Sequence, residues 1–370
     1  MIRPAVRGLV PRGIRAEQQS PSSAIYVTEP LADLMVPFVH NNIVSSQAPA
    51  FEPGRPVRAL TPNAFHARDG DGRDHAIVVR DWSAAGQRRV ERLRGGMLIY
   101  VIDDDVEAGV EDASLPASYR RRLSRLAERA YRHLVRRADL VLTPSDGLAE
   151  RLRARVGDRV RTISPSLTGP PATLSHHRAD GPLRLIFPNT RSHRADWEVV
   201  WPAVRDFMAD HPEVTLATYL GRDGRLEGVA SVEHRTAGPW PQFRMSLLLE
   251  RFHVALLPGL PTPFNTARSH NKLLECAVWG AVPVVSRHLP YASLVREHDT
   301  GFVCGDNLSE WRDALEALRD PALRARKAAR GADFARRVGD PAIMRRRWLD
   351  LLALEAEPAP ARPAAVASGA

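Results

Sequence analysis

Polar and charged side chains crowd one short stretch of the second half, where an apolar strand gives way to an amphipathic helix. This segment, PTPFNTARSHNKLLECAVWGAVPVVS (residues 261–286), follows an apolar run at 254–257. The first turns of its helix carry Asn265, Thr266, Arg268, Ser269, Asn271 and Lys272. The unpaired backbone N–H groups of a helix start suit a phosphate group, and Arg268 and Lys272 would add full charges on one face.

An acidic residue completes this helix start. Glu275 lies three residues beyond Lys272, where its carboxylate can accept two hydrogen bonds from sugar hydroxyls. The alternative is a solvent-exposed helix start with a Glu–Lys ion pair, and the spacing alone does not separate the two interpretations.

A second cluster of cationic groups follows the first predicted strand of the second half. In FPNTRSHRADW (residues 187–197), Arg191, His193 and Arg194 lie at a strand-to-helix turn, and Asp196 is placed to cap or pair near the helix start. A histidine in a loop is more often a hydrogen-bonded surface residue than a catalyst. Both clusters are nevertheless predicted at the carboxyl edge of one sheet, where α/β proteins bind ligands. This coincidence favours the functional interpretation.

Both clusters depend on an alternation of short apolar runs and helical segments. The strands predicted in the first half are 24–28, 57–60, 76–79, 97–102, 140–143 and 160–163, and those in the second half are 183–187, 214–219, 253–257, 282–286 and 301–303. The predicted helices are 83–94, 117–137, 195–209, 240–251, 268–279, 308–318 and 321–336. Such alternation requires parallel pairing with right-handed crossovers. The predicted fold is therefore α/β, with two doubly wound Rossmann-like parallel-sheet domains facing a cleft.

Composition shifts along the chain predict the domain boundaries. The stretch SPSLTGPPATLSHHRADGP is punctuated by proline and glycine, which indicates a linker over residues 164–182. The expected division is a disordered N-terminus (1–22), a first domain (23–163), the linker, a second domain (183–338), a C-terminal helix (339–356) and a disordered Pro/Ala tail (357–370).

Residues 183–330 resemble the donor-binding half of GT-B glycosyltransferases, in the glycosyl transferase group 1 (family 4-like) branch. The segments that carry the resemblance are NTRSHRADWEVVWPAV, HVALLPGLPTPFNTARSHNKLLECAVWGAVPVVSRHLPYASLV and DTGFVCGDNLSEWRDALEAL, with IYVIDDDV (residues 99–106) in the first half. The resemblance makes the first domain the acceptor side and implies a nucleoside-diphosphate sugar in the cleft, with no further cofactor. It places Arg191 and Lys272 on the diphosphate and Glu275 on the ribose.

The chain departs from the family pattern in two places. Many relatives carry a second Glu eight residues before the one that matches Glu275, and here that position is Ala267. Asn265 or Arg268 would then have to replace its contact to the donor sugar. The glycine-rich loop of the first domain is also absent, because the corresponding region TEPLADLMVPFVHNN has no glycine. These departures leave an alternative open, a non-catalytic protein of the same fold that binds a glycan or a protein partner.

Three consecutive aspartates, Asp103, Asp104 and Asp105, follow a predicted strand of the first half. Carboxylates of this spacing can hold a divalent metal. Their expected position in the first domain, away from the phosphate-binding cluster, instead favours helix capping or a hydrogen bond to an acceptor hydroxyl, and no metal site is assigned. No catalytic residue is identified; Asp104 and His40 are the candidates, with His66 as a further candidate general base.

The helix predicted over 117–137 has an inward stripe of Leu and Ala and an arginine series on its other faces: Arg121, Arg125, Arg129, Arg132 and Arg136. A solvent-exposed basic face is the ordinary interpretation. The alternative is docking on an anionic membrane surface, which would suit a lipid-linked acceptor. On this basis we expect a cytoplasmic protein, peripheral at the inner membrane face in the second case.

Composition excludes several other classes. The 370 residues include 52 basic and 43 acidic side chains, a net charge of +9 that favours anionic partners. Two cysteines cannot form a disulfide framework or a Cys-rich zinc site, and we expect Cys276 to be a core residue. No apolar run approaches the roughly 20 residues of a membrane-spanning helix. No nucleic-acid motif accompanies the charge, so no nucleic-acid partner is expected.

The sequence therefore predicts a metal-independent and, by the family resemblance, retaining glycosyltransferase of bacterial surface polysaccharide or glycolipid assembly. Its partners would be a nucleotide sugar and a carbohydrate or lipid-linked acceptor. The predicted donor-binding residues are Arg191, His193, Arg194, Asn265, Arg268, Ser269, Lys272 and Glu275.

Overall fold

The computed structural model describes residues 20–35, 51, 54–178, 181–221 and 231–354. These residues form two six-stranded sheets with helices packed on them. The predicted α/β architecture of two domains is therefore confirmed. The expected N-terminal and C-terminal disordered segments lie almost entirely outside the described residues, as does His40.

The first sheet runs in chain order from β1 to β6. Its strands are β1 (Val57–Thr61), β2 (Ala64–Arg68), β3 (Asp74–Val79), β4 (Gly95–Val101), β5 (Leu140–Thr143) and β6 (Val160–Thr162). Strands β3 to β6 pair in parallel, whereas β1, β2 and β3 are antiparallel neighbours. Strand β2 was not predicted. The two residues between β1 and β2 are too few for a crossover, so these strands can only form a hairpin.

The helices of the first domain are α1 (Pro21–Ser23, continued by a wider helical turn, Ala24–Thr28), α2 (Ala84–Val90), α3 (Val106–Glu111), α4 (Ala117–Leu126), α5 (Arg132–Arg137) and α6 (Asp146–Val156). Residues 127–131 connect α4 to α5 as one more helical turn, which confirms the helix predicted over 117–137. The strand predicted over 24–28 is wrong. Ala24, Ile25, Tyr26 and Val27 are all buried, and a short apolar run buried on every side does not distinguish strand from helix.

The second sheet is parallel throughout, in the order β9-β8-β7-β10-β11-β12. Its strands are β7 (Arg184–Thr190), β8 (Thr215–Tyr219), β9 (Val232–His234), β10 (Val254–Leu257), β11 (Val282–Ser286) and β12 (Phe302–Cys304). This is the doubly wound Rossmann strand order. The chain adds β8 and β9 on one side of β7 and then β10, β11 and β12 on the other side, so the strand order reverses between β7 and β10. The crevice beyond these two strand ends is where such sheets bind ligands.

The helices of the second half are α7 (Arg194–Asp210), α8 (Trp240–Leu249), α9 (Asn271–Trp279), α10 (Ala292–Glu297), α11 (Leu308–Ala317), α12 (Pro321–Gly339) and α13 (Pro341–Leu352). Apart from α10, each matches a predicted helix to within a few residues, and α13 lies within the C-terminal helix expected over 339–356. Gly280 ends α9 with a positive φ of 74°, the left-handed conformation that glycine adopts without strain. Cys276 is buried in the core, as expected.

The last helix crosses back to the first domain. The indole nitrogen of Trp348 donates a buried hydrogen bond of 2.7 Å to the carbonyl of Tyr26. Arg345 pairs with Asp33 at 2.8 Å, and Arg347 donates to the carbonyl of Thr162 at 2.6 Å. Helix α13 therefore covers α1 and holds it in place on the first sheet.

Within the described residues, no helix is both long enough and apolar enough to span a bilayer.

The Trp348–Tyr26 hydrogen bond predicts a stability difference between two tryptophan substitutions. Trp348 and Trp279 are both fully buried, but the Trp279 nitrogen has no hydrogen-bond partner among the described residues. Trp348→Phe leaves the Tyr26 carbonyl unsatisfied, so we expect it to lower the free energy of unfolding by about 1–3 kcal/mol more than Trp279→Phe. Equal losses in urea-induced unfolding would contradict this role of Trp348.

Candidate functional site

A cavity of about 470 Å³ lies at the carboxyl ends of β7 and β10, where the first domain faces the second. This volume is typical of small-molecule sites. The second domain lines it with the turn after β7, the loop after β10 and the start of α9, and the first domain lines it with α1 and the end of β4. Six of the eight predicted donor-binding residues line the cavity: His193, Asn265, Arg268, Ser269, Lys272 and Glu275.

The first turn of α9 brings a cation and an anion together. The Lys272 ammonium donates to the Glu275 carboxylate at 2.6 Å, and the Asn271 side chain donates to its other oxygen at 2.8 Å. Glu275 is only 5% exposed. The predicted Glu–Lys pair therefore exists, but it faces the cavity and not bulk solvent. It presents charged groups at the positive end of a helix, which suits an anionic ligand with neighbouring hydroxyls.

A buried hydrogen-bond network ties the two predicted clusters together. The carboxylate of Asp196 accepts from the Asn265 side chain at 2.9 Å and from the backbone N–H of Leu260 at 2.8 Å. Its other oxygen lies 2.8 Å from Nδ1 of His193. Asp196 therefore fixes both the turn after β7 and the loop after β10.

Arg268 fixes the tautomer of His193. Its Nη2 donates to Nε2 of His193 at 3.0 Å, and because a guanidinium can only donate, Nε2 accepts and Nδ1 carries the proton. Burial lowers the pKa of His193, and the charge of Arg268 lowers it further. The neutral imidazole thus acts as a hydrogen-bonding spacer between Asp196 and Arg268.

The acidic triplet of the first domain reaches the same cavity. Arg80 donates to Asp103 and pairs with Asp104, each at 2.7 Å, and Arg268 lies 3.9 Å from Asp104. The expectation that the triplet lies away from the phosphate-binding cluster is therefore wrong. The expected capping role holds for Asp105, which caps α3 through the N–H of Ala108.

Burial and neighbouring charges shift the pKa values of the two cavity carboxylates in opposite directions. Burial raises the pKa of Asp103, against the effect of Arg80. Burial also acts to raise the pKa of Asp104, but Arg80 and Arg268 together hold it below its usual value. Asp104 is therefore the better-compensated anion of the pair.

Arg191 and Arg194 are not among the residues that line the cavity. The Arg191 side chain donates to the carbonyl of Leu220 at 3.0 Å and packs on Gly221, while Arg194 pairs with Glu198 on the outer face of α7. The expected convergence of Arg191 and Lys272 is thus not observed, and Arg268 occupies the cavity in place of Arg191.

One further candidate residue, His66, does not form part of this site. His66 lies on β2, where it bonds to Asp74 at 2.8 Å and accepts from Arg58, so it has no access to the cavity. Over the described ranges, no three His, Cys, Asp or Glu side chains are arranged to hold a metal ion.

Five aromatic residues that sequence reasoning missed also line the cavity. They are Tyr26, Tyr219, Trp240, Phe243 and Tyr291. The ring centroids of Trp240 and Phe243 lie 5.8 Å apart with the ring planes tilted by 35°, and the Lys272 ammonium lies 5.5 Å from the Phe243 ring. Such faces suit stacking with a planar base or a sugar ring. The only sequence signal was the aromatic content of 240–243, which falls at the start of the helix predicted over 240–251.

The loop that carries Arg268 is inserted into the first domain. Phe264 and Ala267 are each 1% exposed and belong to the apolar cluster of α3 to α6. Ser145 donates to the Ala267 carbonyl at 2.7 Å. A side chain at Gly109 would lie 2.8 Å from the Phe264 ring, so only glycine leaves room for it. Position 267 therefore faces the domain interface and not the cavity, which gives a physical reason for Ala at this position.

This geometry predicts that an acidic residue at position 267 destabilises the protein. Ala267→Glu would bury an unpaired carboxylate, and we expect it to cost about 3–5 kcal/mol of the free energy of unfolding. Thr266→Glu, at the adjacent exposed position, is the matched control and should change stability by less than about 0.5 kcal/mol. An Ala267→Glu variant as stable as the control, measured by denaturant unfolding, would place this side chain in solvent.

No protein-family model matches the chain, and no curated protein matches it significantly. Solved structures do. TarM matches with a TM-score of 0.51 and 10% identity over 79% of this chain and 64% of that chain. A mutant of S. aureus TarM in complex with fondaparinux, alpha-GlcNAc-glycerol and UDP matches with a TM-score of 0.50 and 9% identity, over 82% and 68%. Sucrose-phosphate synthase from Thermosynechococcus elongatus gives 0.49 and 15%, over 72% and 69%. The chain thus spans about two thirds of the length of these structures, and it has the fold of the GT-B glycosyltransferases, two Rossmann-like domains facing a cleft.

Proposed function

We propose that the protein is a glycosyltransferase that moves a sugar from a nucleoside-diphosphate sugar to an acceptor hydroxyl. The observation that carries this proposal is the cavity at the β7–β10 reversal, which combines Arg268, Lys272 and Glu275 of the second domain with Asp103 and Asp104 of the first. The fold supports it, since the TarM structure of similar fold was solved with UDP.

In this proposal the second domain binds the donor. The diphosphate lies at the start of α9, against Ser269, Lys272 and Arg268, where the helix start adds its partial positive charge. Glu275 accepts hydrogen bonds from the ribose hydroxyls. Asn265 and His193 hold the loop and the guanidinium in place through their bonds to Asp196 and Arg268.

The same groups serve the chemistry. When the bond between the anomeric carbon and the diphosphate oxygen breaks, negative charge accumulates on the leaving group, and fixed cations stabilise it without reorganisation. Arg268, Lys272 and the α9 start supply that charge, so we propose a metal-independent reaction. Retention of the anomeric configuration is part of the proposal through the family resemblance alone. In this proposal, donor binding draws the two domains together and excludes water from the reacting centre.

We further propose a cytoplasmic setting in surface polysaccharide or glycolipid assembly, with a carbohydrate or lipid-linked acceptor. The arginine series of α4 and α5 supports an anionic membrane partner. Arg121, Arg125 and Arg136 are exposed, whereas Arg129 pairs with Asp81 and Arg132 lies 3.9 Å from Glu107. Helix α4 also begins beside the cavity loop, since Tyr119 contacts Phe264.

The proposed donor site predicts the nucleotide affinities of two arginine variants and one lysine variant. Arg268→Gln and Lys272→Ala should each weaken the binding of nucleoside diphosphates by at least about tenfold, because a charge-assisted hydrogen bond is lost. The corresponding nucleosides should bind unchanged. Arg191→Gln is the matched control and should stay within about twofold, since its side chain lies outside the cavity lining.

Isothermal titration with UDP, GDP, ADP and dTDP, each beside its nucleoside, makes this measurement. If Arg191→Gln loses diphosphate affinity and Arg268→Gln does not, the diphosphate lies at the turn after β7. If no diphosphate in the panel binds, the donor site is refuted.

If the partner is an anionic membrane, the affinity of the protein for anionic vesicles depends on the exposed arginines of α4. Arg121→Gln/Arg125→Gln should weaken binding to phosphatidylglycerol vesicles by about 30-fold, since each basic side chain near an anionic surface contributes about 1 kcal/mol. Arg205→Gln/Arg326→Gln removes the same charge from exposed positions of the second half and should change binding little. Equal sedimentation of both variants with the vesicles would show non-specific attraction by the net charge.

A further inference from the structure

Three histidine side chains pack against one another where the segment that connects β6 to β7 meets the second domain. His176 and His177 lie in one helical turn of this segment, Ser175–His177, and His253 directly precedes β10. The centroids of the three rings lie 4.1–5.5 Å apart. This histidine cluster lies at the amino ends of β7 and β10, which is the edge of the sheet opposite the cavity.

Each imidazole of the cluster donates a hydrogen bond to a backbone carbonyl. Nε2 of His177 donates to the carbonyl of Gly280 at 2.8 Å, and Nε2 of His176 donates to that of Phe252 at 3.2 Å. Nε2 of His253 donates to the carbonyl of His176 at 3.1 Å. Because a carbonyl can only accept, Nε2 carries the proton in all three rings.

The other ring nitrogen, Nδ1, has no acceptor for a second proton. In His253 it accepts from the backbone N–H of Arg184 at 2.9 Å. In His176 and His177 it is buried and has no hydrogen-bond partner within the described part of the chain. A second proton would therefore break a hydrogen bond in His253 and leave a buried, charged N–H group unpaired in the other two rings, which is unfavourable in each case.

Burial and the neighbouring charges keep the cluster neutral. Burial is the largest cause that lowers the pKa of His177, to about 3, and that of His253, to about 4, and it also lowers the pKa of His176. The rings lower these pKa values further by mutual repulsion. The charged side chains that act on the rings are Arg184 of β7, Arg251 before β10 and Arg324 of α12, and of these Arg184 interacts with Glu250 and Arg324 with Asp320.

The cluster fastens the connecting segment to the end of α9. Beside the bond from His177 to Gly280, the N–H of Ala172 donates to the carbonyl of Ala277 at 3.0 Å. A Cβ atom at Gly280 would lie 2.7 Å from the His176 ring, so the close approach of the segment requires glycine there. The start of the same helix lines the cavity, and the segment is therefore attached to the element that positions the site.

We propose that the histidine cluster is an acid-sensitive attachment, which holds the connecting segment on the second domain while its imidazoles are neutral and releases it on protonation while both sheets stay folded. The segment joins the two sheets whose edges form the cavity. Its release removes one of the attachments that fix these sheets relative to each other. This device is independent of the proposed function.

The direction of the pH effect follows from the two states of the segment. In the released state the histidines have an ordinary pKa of about 6.5, whereas in the attached state the pKa is about 3 for His177 and about 4 for His253. The released state binds protons more readily, so the attachment is fully stable above about pH 6.5 and weakens as the pH falls below it. Between about pH 7.5 and pH 5.0, each of these two histidines shifts the equilibrium toward release by about 30-fold.

Amide hydrogen exchange of the full chain at about pH 7.5 and pH 5.0, corrected for the intrinsic exchange rates, tests the proposal. The protection of residues 172–177 should fall by at least about 30-fold at the lower pH, whereas that of β10 and β11 should stay within about twofold. Loss of protection in these strands to the same extent as in the segment would show acid unfolding of the whole domain. Unchanged protection of the segment would show that the cluster does not respond to acid. Either result overturns the proposal.

A double variant assigns the effect to the cluster. In His176→Gln/His177→Gln, each glutamine can donate to the same carbonyl but cannot take up a proton, so the protection of the segment should fall by less than about threefold between the two pH values. His211→Gln/His288→Gln is the matched control, because both histidines pair with carboxylates outside the cluster, and it should retain the full effect. The same fall in both double variants would refute the role of the cluster.

A titration of the unsubstituted protein covers the case in which the double variant does not fold. Histidine ring signals followed by NMR should show that His176 and His177 gain protons only as the segment loses protection. Titration of these rings near pH 6.5, the ordinary value, with the segment still protected would contradict the proposal.

Discussion

The insertion of Phe264 into the first domain is the constraint on which the site depends. The loop after β10 carries Asn265 and Arg268, and it is anchored at Phe264 and Ala267 inside the apolar cluster of α3 to α6. Burial of an aromatic side chain is worth about 1.5–3 kcal/mol, so the loop is held by the domain opposite its own. The loop therefore places the Arg268 side chain where both sheets end, and neither domain alone would form the cavity.

The second domain could be predicted from the sequence except for β9 and α10. Strands β7, β8, β10 and β11 are largely buried runs separated by amphipathic helices, and only the parallel doubly wound arrangement satisfies that pattern. The first domain was harder to predict. Strand β2 reads AFHAR, in which a buried histidine interrupts the apolar pattern, and His66 is tolerated there only because Asp74 and Arg58 complete its hydrogen bonds. Helix α1 was missed since burial on all sides removes the periodicity that marks a helix.

The candidate site could be predicted where its residues are close in sequence. Lys272, Glu275 and Asn271 share one helical turn, and their contacts follow from helical spacing. The contacts of Arg268 to Asp104 and of Trp348 to Tyr26 join residues far apart in the chain, and no local pattern encodes them. Arg191 is an example of a residue whose position was predicted but whose contact was not. It does follow β7, as predicted, but its hydrogen bond to the Leu220 carbonyl depends on packing against Gly221.

The charged side chains around the cavity are paired with one another, and this affects how the proposed donor would bind. Lys272 is paired with Glu275, Arg80 with both Asp103 and Asp104, and Arg268 lies near Asp104. A diphosphate therefore competes with Glu275 for Lys272 and with Asp104 for Arg268. In the proposed complex, Glu275 keeps the Asn271 hydrogen bond and gains those of the ribose hydroxyls, whereas Asp104 keeps Arg80. Because each carboxylate retains a partner, the donor can draw on both cations without leaving an unpaired buried charge, which is the costly outcome in such sites.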